Sequence, residues 1–167
     1  MTIISDATAL ILLSKASILE IFVNRNDAVI PEKVYEEVIK GREKGRTDSI
    51  LVERLVNENK LTVKTPKETT KETTKENIRK LTGLKYGELD VISLAYKTKD
   101  TILSDDKKCI NSAKALNIDF ITSLDVIIVL YKKKAIDKEK AIECIEILDE
   151  YGWYSEDLIK KYKEILK

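Results

Sequence analysis

The segment TILSDDKK, residues 101–108, decides how the rest of the chain is read. Four residues of strand character, Thr101 to Ser104, run straight into two adjacent carboxylates, Asp105 and Asp106. One acid at such a place can cap the next helix. Two side by side repel each other unless positive charge is near. The same order of strand, acid and helix occurs at the start of the chain, where TIIS (2–5) precedes Asp6 and a helical pattern runs from Thr8 to about Phe22. Between these points DAVI (27–30) and LTVK (61–64) read as strands, and DFIT (119–122) reads as a last one. Pro31 opens a helix to about Lys40 that Gly41 ends, and a further helix spans about 48–58. Helical patterns also cover 87–97, 107–116, 124–133, 138–151 and 155–166. This alternation predicts an α/β fold, a central parallel sheet of about five strands covered by helices on both faces. The 167 residues form one domain, with 138–167 as added C-terminal helices and 65–78 as an exposed insert. Within that insert KETTKETTKE (67–76) would place Glu68, Glu72 and Glu76 in one row of a solvated helix.

Composition excludes several chemistries. With 43% hydrophobic and 35% charged residues the chain is globular with an ionic surface, and 30 basic against 29 acidic side chains leave a net charge of +1. Overall charge therefore gives no nucleic-acid signal; only a local patch could. There is no histidine, which removes the commonest general base and argues against zinc. Cys109 and Cys144 are far apart and read as buried thiols of a reducing, cytoplasmic setting. The apolar run at 7–23 is broken by Lys15 and Ser17, so neither a membrane span nor a signal peptide is expected.

What remains is carboxylate chemistry. In open parallel sheets ligands gather beyond the carboxyl ends of the strands, where Asp6, Asp105 and Asp106 fall. In PEKVYEEVIKG (31–41) the apolar stripe of Val34 and Val38 takes Glu37 with it, while Glu36 lines up with Lys33 and Lys40. In GLKYGELDVISLA (83–95) Glu88 shares the stripe of Ile92 and Ala95, and Asp90 lies about 200° round. Four or more acids in one hollow require protonation or a hard cation, and Mg²⁺ or Mn²⁺ suits oxygen ligands with room for a substrate phosphate. The chemistry implied is phosphodiester hydrolysis by a metal-activated water. The acids in play are Asp6, Glu37, Glu88 with Asp90, and Asp105 with Asp106, either member of each pair being able to serve.

IISDATALILLSK, IPEKVYEEV, GLKYGELDVISLA and ILSDDKKCINSAKALNI resemble, in order, the four acidic motifs of the PIN-domain superfamily. The tail DEYGWYSEDLIKKYKEIL resembles that of a prokaryotic PIN subfamily. The resemblance implies a sheet ordered 3-2-1-4-5, which sets the strands ending at Asp6 and Asp105 side by side. It also implies a Mg²⁺- or Mn²⁺-dependent endoribonuclease whose acids are Asp6, Glu37, Glu88 or Asp90, and Asp105 or Asp106. Thr8 and Ser104 would be supporting hydroxyls, each equally readable as a helix cap. RNA is the implied substrate, a small antitoxin and a second copy of the chain are implied partners, and Lys107-Lys108-Cys109 departs from the toxin-type fourth motif. RNA approach would use Lys15, Arg42, Lys44, Arg46, Lys107 and Lys108. Two other readings compete: a PIN-like RNA-binding or assembly module without catalysis, and a phosphoacceptor domain, whose acid pair would follow the first strand rather than the fourth.

Overall fold

A computed structural model describes residues 1–41, 46–65 and 71–167. The strands are β1 (Thr2–Ser5), β2 (Asp27–Pro31), β3 (Leu61–Lys64), β4 (Thr101–Leu103) and β5 (Phe120–Ile121). Every pairing is parallel, and the order is β3-β2-β1-β4-β5. Ile3, Ile4, Ala28, Val29, Ile30, Ile102 and Leu103 are all buried, as expected of parallel strands enclosed on both faces. Helices connect them: α1 (Ala7–Lys15), α2 (Leu19–Val23), α3 (Glu32–Lys40), α4 (Thr47–Asn57), α5 (Glu72–Thr82), α6 (Tyr86–Thr98), α7 (Lys107–Ala115), α8 (Ser123–Lys132), α9 (Lys138–Tyr151) and α10 (Glu156–Ile165). The three-layer, PIN-like architecture with extra C-terminal helices is thus present. No described helix is long and apolar enough to cross a membrane.

Two local expectations need correction. The helix expected from Thr8 to Phe22 is two helices. Ser17 takes the left-handed conformation (φ 58°), its N–H bonds Ser14 O at 2.9 Å, and the N–H of Ile18 bonds Leu13 O at 3.0 Å. This is a Schellman stop built without glycine, and it turns the chain so that Ile18 and Leu19 are buried. The second correction concerns 65–78. Glu68 lies outside the described residues, but Glu72 onward is helix α5, docked on α6 through buried Ile78 and an ion pair from Lys75 to Asp90 at 2.5 Å. That part is packed structure rather than an exposed insert.

The register positions the acids. Ser5 pairs with Leu103 across β1 and β4, and the N–H of Asp6 bonds Leu103 O at 3.2 Å, so Asp6 and Ser104 leave the sheet level with each other. α6 crosses above β1, β2 and β4 and brings its N-terminus to the same edge, facing α3.

Candidate active site

Asp6 is the N-cap of α1, accepting from Ala9 N–H at 2.9 Å, and it is 3% exposed. Its second oxygen accepts from the buried Ser104 hydroxyl. Ser104 in turn accepts from Asp106 N–H at 3.2 Å, so one hydroxyl ties the end of β1 to the start of α7. Burial is the main reason that the Asp6 carboxyl is pushed up to about 7; the Ser104 and Ala9 bonds oppose it, and the charges of Asp105 and Glu88 add to it.

The adjacent acids of the opening segment divide their work. Asp106 caps α7, accepting from Cys109 N–H at 2.7 Å, and faces Glu88. Asp105 turns the other way, toward the C-terminal helices. It accepts from Ser123 N–H at 3.0 Å, from the Ser123 hydroxyl and from Tyr154 Oη at 2.8 Å. Burial raises its carboxyl, the bonds from Ser123 and Tyr154 work against that, and Asp125 adds to it. Asp125 is itself bonded by Tyr162 Oη at 2.5 Å, so two tyrosines anchor the C-terminal segment on this edge.

Glu37 and Glu88 meet across α3 and α6. Glu37 is exposed as a residue, yet its carboxylate accepts from Gly87 N–H at 3.0 Å at the start of α6, where negative charge suits the helix dipole. Only glycine permits this approach, because a Cβ at position 87 would sit 2.7 Å from Glu37 Oε1. Glu36 pairs with Lys33 at 3.4 Å on the outer face. Glu88 is half-buried and raised first by burial and then by Asp106 and Glu37, with Lys108 opposing. These residues line an open cavity of about 440 Å³.

Asp6, Glu37, Glu88, Asp105 and Asp106 therefore stand on one edge, whereas other expected participants do not. Asp90 is buried against Lys75 of α5. Thr8 is exposed in the first turn of α1, with the capping position taken by Asp6. Lys15 ends a nine-residue helix that starts at Asp6, roughly 13 Å along its axis, and there pairs with Asp48 at 3.6 Å and lies over the Tyr151 ring. It belongs to the opposite side of the molecule, a correction to its placement near the acids. Arg42 and Lys44 lie outside the described residues. Tyr154, Ser123, Asp125 and Tyr162 complete this edge without any spacing that points to them; the one sequence signal is the pair of tyrosines, Tyr154 and Tyr162, in the C-terminal tail. Cys109, pushed up to about 12 by burial beside these acids, stays a protonated thiol and no nucleophile.

The family model for DUF3368, described as a PIN domain, matches residues 2–167. The chain belongs to this PIN-domain family. No curated protein matches it. PIN domains are generally nucleases, which supports nuclease-like function for this one. PIN domains typically use divalent metal ions, and the chemistry of this donor set fits one: hard carboxylate oxygens, with Asp6 raised first by burial and further by the charges of Asp105 and Glu88. Among the described residues no three Asp, Glu or Cys side chains stand together so that they could hold a metal ion as they are placed. Each carboxylate except Glu88 is turned to a nearby N–H or O–H donor, as mutually repelling acids do.

Because Tyr154 holds Asp105 from 49 residues away, Tyr154→Phe in this PIN domain is expected to lower unfolding free energy by about 2 kcal/mol in urea titrations. A loss near zero would mean the hydroxyl contact contributes nothing.

Proposed function

We propose that this PIN domain is a Mg²⁺- or Mn²⁺-dependent endoribonuclease. The observation that supports this most directly is geometric: parallel β1 and β4 end level with each other, so Asp6 and Asp106, the caps of α1 and α7, leave the sheet on the edge that Glu88 also faces. Asp6, Glu88 and Asp106, with Glu37 behind them, are the residues that would hold the ion. With a divalent ion held there, Lewis acidity and an acidified water would be the chemistry it supplies. The chain's own contributions are separate. The Ser104 hydroxyl orients Asp6 and braces it against α7. Asp105, with donors on both oxygens, fixes negative charge beside Asp6 rather than offering open ligand positions. Lys107 and Lys108 flank Asp106 and can pair with substrate phosphates. A toxin role with a small antitoxin and a homodimer go with the same proposal through the family resemblance, and a cytoplasmic setting goes with it through the two unpaired cysteines.

That no three acids among the described residues are placed to hold a metal favours one second reading, an RNA-binding module without catalysis. Labelled RNA incubated with the protein in Mn²⁺, in Mg²⁺ and in EDTA separates the two. Cleavage is expected only with metal, lost in EDTA and restored on adding Mn²⁺ back. Retention of intact RNA under every condition would favour the binding module.

A further inference from the structure

The acidic edge creates a difficulty for any nucleic-acid substrate. Glu37, Glu88 and Asp106 repel a phosphate backbone, so affinity has to come from groups around them. Two features supply it. Tyr86 is 76% exposed and lines the carboxylate cavity beside Glu37 and Glu88. Its backbone is left-handed (φ 53°), a conformation that bulky L residues rarely adopt, at the first residue of α6. A large ring is thus kept in water at the mouth of the site. The second feature is a groove of about 520 Å³ that begins at Asp106 and runs along α7 past Lys107, Lys108 and Asn111, with the exposed Leu81 on its far wall. Lys108 lines both hollows and donates to Gly83 O at 2.9 Å, which holds its ammonium where they meet.

We infer that Tyr86 is a base platform: the site takes an unpaired RNA strand, one base of which stacks on the Tyr86 ring while the adjoining backbone follows the groove past Lys107, Lys108 and Asn111. This rests on the nuclease reading and adds to it the residue on which a base is received. Stacking needs only a π face, so it tolerates sequence but requires a base free of its partner strand. Lysines along the groove read phosphates without regard to sequence.

The test uses fluorescence anisotropy with a 5′-labelled 12-nucleotide RNA in Mg²⁺, on an Asp6→Asn background that keeps the strand intact. Tyr86→Ala is expected to weaken binding about tenfold, while Tyr86→Phe and Tyr86→Trp stay within about twofold. Tyr86→Gly should weaken binding as Ala does while melting at the same or a higher temperature, because glycine accepts the left-handed backbone; lost affinity is then not lost folding. An abasic nucleotide moved along the strand should cost affinity at one position, and that cost should vanish in Tyr86→Ala. Lys107→Ala should lower the salt dependence by about one unit of log–log slope and leave the abasic effect in place. A blunt duplex of the same sequence should bind at least about tenfold more weakly. The platform is overturned if Tyr86→Ala binds within twofold of its parent, if Phe fails as Ala does, or if no abasic position matters. Equal affinity for the duplex overturns the unpaired strand. Wild-type protein that cleaves RNA while Tyr86→Ala binds normally removes the platform alone; wild-type protein that neither cleaves nor binds RNA removes the nuclease reading beneath it.

Discussion

Asp6→Asn is expected to lose at least about a thousandfold in metal-dependent RNA cleavage with no loss of thermal stability. The substitution is isosteric, so both local contacts can persist. The amide oxygen still accepts from Ala9 N–H and caps α1. The amide nitrogen meets Ser104 Oγ, whose hydroxyl can rotate to accept, as it already accepts from Asp106 N–H. What disappears is one negative charge on a residue 3% exposed with Asp105 and Glu88 for neighbours. Melting of the EDTA-treated variant should therefore match or exceed wild type. Full cleavage by Asp6→Asn would put the chemistry elsewhere on the molecule.

The second large effect is on stability against pH. A carboxyl whose folded pKa is raised binds its proton more tightly in the native state than in the unfolded chain. Its contribution is complete below the unfolded value, near 4, and is lost as pH rises through the folded value. Asp6, moved from 3.8 to about 7, sets that window, and its contribution is at most about 4 kcal/mol. Glu88 and Asp105 are raised and act in the same direction. The surface acid Glu20, held down to about 2 by Arg54 and then Lys60, has the opposite sign but titrates below the window. Urea unfolding of EDTA-treated protein from pH 5 to pH 8 should show stability falling up to about pH 7 and levelling off above it, a slope that Asp6→Asn largely removes. Mn²⁺ should raise the midpoint more at pH 8 than at pH 5, since it competes with protons for the same oxygens. Stability that climbs over this range would contradict the picture of an under-neutralised edge.

Much of this edge could be read from residues alone because the strands are short, apolar and end on acids. TIIS and TILS are nearly the observed β1 and β4, and their parallel pairing puts Asp6 level with Ser104. Helical phase separated Glu37 from Glu36, and placed Asp90 off the stripe that carries Glu88. Periodicity does not report what a side chain meets beyond its own helix. Nothing in the sequence pattern foretold that Lys75 would take Asp90, because the KETT repeat signals exposure while Ile78 docks the helix. Ser17 gave no stop signal, since its left-handed turn is imposed by packing Ile18 and Leu19 rather than by glycine chemistry. The contact from Tyr154 to Asp105 joins two loop positions with no helical register to connect them, which placed it beyond any reading of spacing.

That contact also orders events in time. A polypeptide grows from its N-terminus, so ribosomes deliver Asp105 49 residues ahead of the phenol that steadies it. During translation this corner of the acidic edge waits for the C-terminal segment, and a nascent chain stalled before Tyr154 carries its acids without the strap that sets one of them.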